Sequence, residues 1–224
     1  MKRQALAVYP VLDLEYAGAN PEALVAAALR GGATIVQLRD KRDSASAITR
    51  VATAMRDQLE AAAVPLIIND RLDLALALGA AGVHLGQSDM PIDRARQLAR
   101  AAGRPGFVIG LSVSNVAQAS RALAAGADYV SISPIFATTT KLDIEPPAGL
   151  EGLRAVRAAH PAAAIVAIGG IKLARVAEVI GAGADGVAFI SAMGDATQAE
   201  SAVKAMVATV AAAHASAVTT RSVG

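Results

Sequence analysis

Four short segments of this 224-residue chain are near copies of one another. Gly32-Ala33-Thr34-Ile35-Val36, Gly79-Ala80-Ala81-Gly82-Val83, Gly126-Ala127-Asp128-Tyr129-Val130 and Gly183-Ala184-Asp185-Gly186-Val187 each read as a helix end, a glycine turn and the start of a buried strand. Their first glycines are 47, 47 and 57 residues apart. Each interval has room for a helix, another strand and another helix. The other strands are visible as apolar runs at Leu6–Leu12, Leu66–Ile68, Phe107–Leu111 and Ile165–Ile168. Short runs without polar alternation are those of strands buried on both faces. Between them, Ile48, Val51, Ala52, Met55 and Leu59 make one helical stripe, and Val203, Met206, Val207 and Val210 make another. Strict alternation of strand and helix, eight times over, predicts an α/β fold: a single closed (β/α)₈ TIM barrel over residues 1–213. An open flavodoxin-like sheet is the alternative, but it usually has fewer strands. Residues 214–224 are small and polar without periodicity and read as a frayed tail.

Composition removes several function classes. With no cysteine there is neither a disulfide framework nor a thiolate metal site, which fits a reducing compartment. A net charge of +2 with no basic stripe argues against nucleic acid. Asp13 and Glu15 interrupt the N-terminal apolar run too early for a signal peptide. The apolar stretch from Leu72 to Gly86 carries Asp73 and His84 and is too short for a membrane span. A cytoplasmic location is expected. Alanine provides 55 residues, so the helices can approach a sheet closely.

Barrel enzymes carry their chemistry at the C-terminal ends of the strands. Strand two ends in Gln37-Leu38-Arg39-Asp40-Lys41. Residues two apart share a face, so Gln37 and Arg39 point to the barrel axis if Val36 and Leu38 face the helices. The cations suggest an anionic substrate. Asn69-Asp70 ends strand three, and Gly86-Gln87-Ser88-Asp89 follows strand four. The two aspartates suit an acid/base pair, a Mg²⁺ site or helix caps, and Asp89 before Met90-Pro91 suits a cap. Beside Arg39, Lys41 and Lys141, however, carboxylates read better as a Mg²⁺-diphosphate site. Gly169-Gly170 ends strand seven and Ile190-Ser191 strand eight, where such barrels bind phosphate through backbone N–H groups. The last interval is ten residues longer than the others, and its most irregular part, Pro134 to Gly149, reads as a ligand loop. His84 has inward parity and reads as a hydrogen-bonded structural residue. Arg94, Arg96, Arg100 and Arg104 read as a solvated helix face.

Gln37-Leu38-Arg39-Asp40-Lys41, Asn69-Asp70-Arg71, Val83-His84-Leu85-Gly86-Gln87-Ser88-Asp89-Met90-Pro91, Thr138-Thr139-Thr140-Lys141 and Gly169-Gly170-Ile171, taken together and in this order, resemble the thiamine phosphate synthases. The resemblance covers the chain from about Tyr9 to Ala213. It implies a barrel enzyme, a transferase, that joins a hydroxymethylpyrimidine diphosphate to a hydroxyethylthiazole phosphate. It implies Mg²⁺ held by Asp70 and Asp89, and a leaving diphosphate neutralised by Arg39, Lys41 and Lys141. Gln37 and Asn69 would contact pyrimidine or diphosphate, with Leu38 and Asp40 in the same binding segment and Ser112 near the diphosphate. Thr138, Thr139 and Thr140 would line the thiazole side, and Gly170, Ile190 and Ser191 would bind the thiazole phosphate. The expected partners are these small molecules and, by resemblance, a second copy of the chain in a homodimer. The sequence departs from the family pattern at Ser88, at Asn115, and at Ser131 and Ser133, where relatives often carry glycine. A thiazole tautomerase-like relative, or a non-catalytic barrel that senses a thiamine precursor, are the rival readings. The tautomerase uses a histidine in the apparent place of Asn115.

Overall fold

The computed structural model describes residues 2–16, 20–40, 45–138 and 146–222. Eight parallel strands pair in sequence order, and the last pairs with the first to close the barrel. They are β1 (Val8–Asp13), β2 (Val36–Arg39), β3 (Leu66–Asn69), β4 (Gly82–Leu85), β5 (Val108–Val113), β6 (Tyr129–Ile132), β7 (Ile165–Ala167) and β8 (Gly186–Phe189). Outside lie α1 (Pro21–Gly31), α2 (Ala45–Ala61), α3 (Leu72–Ala77), α4 (Ile92–Ala101), α5 (Val116–Ala124), α6 (Gly149–Ala159), α7 (Val176–Gly181) and α8 (Ala196–Ser222). This is the predicted (β/α)₈ architecture. No helix among the described residues is long and apolar enough to cross a membrane.

Local signals explain the helix ends. α1 starts where the Asn20 side chain accepts from the Ala23 N–H at 3.0 Å and Pro21 supplies a helical φ. It stops at Gly32, whose φ of 92° is left-handed. The end of α2 lacks such a glycine. Ala63 takes a left-handed φ of 53° while its N–H bonds Glu60 O and the next N–H bonds Leu59 O. Ala63→Gly is therefore expected to stabilise the protein by about 0.5–1 kcal/mol, read as a higher urea midpoint at unchanged slope.

The core has two layers, set by strand parity. Outward residues such as Val36, Leu38, Ile68, Val83 and Val130 meet the helices, and the whole predicted α2 stripe is buried against them. Inward residues form a separate cluster that includes Tyr9, Val11, Ile35, Ile67, Tyr129, Val166 and Ala188. The Tyr129 ring fits only because Gly110 faces it: a Cβ there would lie 2.1 Å from Tyr129 Cζ.

The third residue of the internal repeat also has a use. Thr34 Oγ1, Asp128 Oδ2 and Asp185 Oδ2 accept from Val8 N, Ile109 N and Ile165 N, at 3.0, 2.8 and 2.8 Å. Each ties the first turn of one strand to the strand before it, at the face opposite the expected site. Arg96 and Arg157 complete the two aspartate clamps at 2.6 and 2.7 Å. Arg96 is thus no solvated residue: it also donates to Gly126 O, and Arg104 donates to Ala80 O. A helix face that overhangs a strand's start meets unpaired carbonyls, and long cations reach them. The chain beyond Ala213 also differs from the expected frayed tail. α8 runs on to Ser222, and His214 Nε2 lies 3.0 Å from Asp185 O.

Candidate active site

The C-terminal strand ends gather the described candidate residues at one mouth. β1 ends in Asp13, a carboxylate that is 2% exposed. Its Oδ2 accepts from Arg39 Nη1 of β2, and its Oδ1 accepts from Glu15 N at 3.1 Å. Asp13 therefore fixes Arg39 where parity places it, on the axis. Leu38 points the other way into the outer core and is 1% exposed, which leaves only its backbone for a ligand. Asp40, just past the strand, is half-buried.

Two aspartates flank the end of β4. Asp70 follows Asn69 with a left-handed φ of 61°, and its N–H donates to His84 O at 2.8 Å. Aspartate tolerates that conformation better than most residues but at some cost in strain, and such strain clusters at functional sites. Asp89 returns to the same strand end, where its Oδ2 accepts from Gly86 N at 2.6 Å. The cap reading of Asp89 fails, because α4 begins three residues later and Pro91 occupies the cap position. Arg71, in the same motif as Asp70, pairs instead with Asp73 at 2.6 Å on the surface, and this holds the Asp73 carboxyl below its ordinary range.

Across the barrel a cleft of about 520 Å³ is lined by Thr138, Gly169, Gly170, Ile190 and Ser191, among others. Both glycines have left-handed φ, 102° and 65°. A Cβ on Gly169 would lie 2.6 Å from Pro134 Cβ, and one on Gly170 would lie 2.5 Å from Ala137 O. The glycines thus let the loop after β6 pack against the end of β7, besides baring backbone N–H groups. Phe136 in that loop lies beneath Arg175, whose guanidinium carbon is 3.4 Å from the ring centroid.

Between the two subsites a chain of side chains crosses the barrel. Gln37 Nε2, Tyr9 Oη, Tyr129 Oη, His84 Nδ1, and then His84 Nε2 and Ser112 Oγ follow at 2.9, 2.9, 3.0 and 2.9 Å. The Ser112 carbonyl accepts from Gln87 Nε2 at 2.6 Å. Burial raises both phenols far above their ordinary value, and the closeness of Tyr9 raises Tyr129 further. They stay protonated in the fold at any pH below about 10, where an exposed phenol begins to ionise. Their contribution to stability is complete below that pH and is lost as pH rises towards the folded values. The expected loss is about 1 kcal/mol for each phenol between pH 10 and 11, approaching about 1.4 kcal/mol per pH unit above that. Urea melts between pH 10 and 11 test this: a Tyr9→Phe, Tyr129→Phe protein with the same slope as the unsubstituted one would refute it.

Asp13, Tyr9 and Tyr129 were not among the sequence candidates, although Asp13 shares inward parity with Tyr9 and Val11. Lys41, Thr139, Thr140 and Lys141 lie outside the described residues. No group of three or more acidic or histidine side chains able to hold a metal exists among the described residues. Asp70 and Asp89 nevertheless present hard oxygen donors, and Mg²⁺ commonly takes one or two carboxylates beside phosphate and water.

A closed parallel barrel whose mouth joins a paired arginine and two carboxylates to a glycine-walled cleft falls in the class of phosphate-handling barrel enzymes. Residues 8–193 match the family described as "Thiamine monophosphate synthase". A thiamine-phosphate synthase from Albidiferax ferrireducens is 48% identical over 194 residues, 86% of each chain. One from a Roseiflexus species is 45% identical over 207 residues, covering 92% of this chain and 86% of its own. The solved thiamine phosphate pyrophosphorylase of Pyrococcus furiosus superposes with a TM-score of 0.81 at 32% identity, covering 94% of this chain and 98% of its own. The chain belongs to the thiamine monophosphate synthase family.

Proposed function

We propose that this protein is a thiamine-phosphate synthase, transferring the hydroxymethylpyrimidine group from its diphosphate to hydroxyethylthiazole phosphate. The observation that carries the reading is the convergence of Arg39, Asp70 and Asp89 on one mouth, facing the Gly169–Gly170 cleft. One half suits a diphosphate and the other a monophosphate. The pyrimidine's methylene carbon–oxygen bond breaks to release diphosphate, and the thiazole nitrogen supplies the pair that forms the new carbon–nitrogen bond. An electron-rich aminopyrimidine supports positive charge on that methylene carbon, so no protein nucleophile is required. The protein's work is to stabilise the departing charge and to aim the thiazole nitrogen.

Arg39, positioned by Asp13, neutralises the diphosphate together with Lys41 and Lys141. Asp70 and Asp89 are the residues that would hold Mg²⁺, which when bound would spread the leaving-group charge. Gln37, Asn69 and Asp40 line the pyrimidine side, and Ser112 meets the diphosphate. Thr138, Thr139 and Thr140 line the thiazole, whose phosphate takes the backbone N–H groups of Gly170, Ile190 and Ser191. Asn115 disfavours the tautomerase reading, because its Oδ1 is spent on capping α5 through Gln118 N at 2.9 Å. The same reading carries a cytoplasmic homodimer, which light scattering in solution would test against a monomer of 22.5 kDa.

The deciding assay mixes the purified protein with both substrates, in Mg²⁺ or in EDTA, and detects thiamine phosphate as fluorescent thiochrome. Magnesium-dependent product is expected. No product with both ligands bound by calorimetry would mean a binding protein on an enzyme's scaffold.

A further inference from the structure

We propose that Tyr129 and His84 are positioning residues that hold the Ser112 hydroxyl as a hydrogen-bond donor into the barrel mouth, where it serves an oxygen of a diphosphate-class ligand. The proposal rests on the reading of that mouth as a diphosphate site. It follows from the polarity of the chain that crosses the barrel.

The direction is set at one end. Gln37 Nε2 can only donate, so Tyr9 Oη accepts from it. Buried Tyr9 has no acceptor other than Tyr129 Oη among the described residues, so its proton goes there, and the Tyr129 proton then goes to His84 Nδ1. An imidazole that accepts at Nδ1 while neutral carries its proton on Nε2. That proton faces Ser112 Oγ at 2.9 Å. Ser112 thus accepts from within the barrel, and its own O–H has no acceptor among the described residues. Ser112 lies at the C-terminal end of β5, half-exposed, with its carbonyl held by Gln87. A diphosphate oxygen is an acceptor only, so a serine is useful to it only as a donor. The reverse polarity would turn the hydroxyl inward onto Nε2 and present lone pairs to an anion.

The two phenols suit this task. Burial keeps them protonated, so neither link fails by ionisation in the physiological range. Tyr129 also lies stacked on His84, with ring centroids 5.6 Å apart and planes 23° from parallel, in the hollow left by Gly110. The imidazole is held both in plane and in tautomer.

The experiment labels the histidines with ¹⁵N and titrates inorganic diphosphate with Mg²⁺ into the full chain. His84 is expected to show a pyrrole-type Nε2 and a pyridine-type Nδ1, free and bound. Ser112→Ala is expected to weaken diphosphate binding about tenfold or more, the usual worth of a hydrogen bond to a charged group. Tyr129→Phe, which keeps the ring in its hollow, is expected to weaken binding several-fold by letting Ser112 donate inward. In the Ser112→Ala background Tyr129→Phe is expected to change nothing further. A proton on His84 Nδ1 in the unsubstituted protein would overturn the proposal. So would an equal loss from Tyr129→Phe with and without Ser112. If Tyr129→Phe fails to fold, the histidine signature of the unsubstituted protein still decides. None of these readouts needs turnover. Failure of the synthase reading would show separately, as diphosphate binding without product.

Discussion

Asp70→Asn and Asp89→Asn are each expected to lower kcat on the order of 10²-fold or more, with the loss growing as Mg²⁺ is diluted. Both substitutions keep the local backbone. Asparagine accepts the left-handed φ of 61° that position 70 requires, and the N–H bond from there to His84 O is untouched. An amide oxygen at position 89 can still take the Gly86 N–H. What is removed in each case is one negative charge beside the end of β4. Stability should therefore move by less than about 1 kcal/mol, while the apparent Mg²⁺ requirement rises. Thiochrome assays over a Mg²⁺ series, with a urea melt of each variant, separate the two effects. Full magnesium-dependent activity in both variants would remove Asp70 and Asp89 from the metal site.

The barrel was legible because its signal is repeated. Four glycine turns at near-constant spacing, and eight apolar runs, admit few arrangements once connections must be short and right-handed. Parity then placed Gln37, Arg39 and His84 on the axis. It places Asp13 there as well, but a carboxylate that interrupts an N-terminal apolar run reads first as the end of a targeting segment. Tyr9 and Tyr129 lie 120 residues apart in sequence and meet only because the barrel closes. No local pattern encodes such a contact. Gly110 is its nearest trace, since a glycine inside a strand marks a place where something large comes close. Arg94 and Arg100 are exposed as expected, but Arg96 and Arg104 are not, for a different reason. A run of cations at helical spacing looks solvated until the neighbouring strand starts, with their spare carbonyls, are in place. The Asp128 and Asp185 clamps were present in the repeat as letters, but their chemistry needed the register of β5 and β7.

The Arg39–Asp13 pair carries the largest expected loss of stability. Asp13→Ala leaves a guanidinium whose side chain is 12% exposed without its partner. Breaking a buried pair from one side costs about 3–5 kcal/mol, because the remaining charge is desolvated and unpaired. An anion that binds beside Arg39 supplies part of the missing charge. Inorganic diphosphate should therefore raise the midpoint of Asp13→Ala more than that of the unsubstituted protein. Replacing both partners gives the opposite balance. The Asp13→Leu, Arg39→Met protein should recover most of the stability, as apolar replacements of buried ion pairs often do. It should not recover turnover if Arg39 is, as proposed, the cation that faces the leaving diphosphate, and kcat should then stay down by about 10²–10³-fold. Stability restored without activity would show that Asp13 is present to aim Arg39 rather than to hold the barrel together. Activity restored in the doubly substituted protein would show that Arg39 only balances Asp13, and that other cations face the substrate.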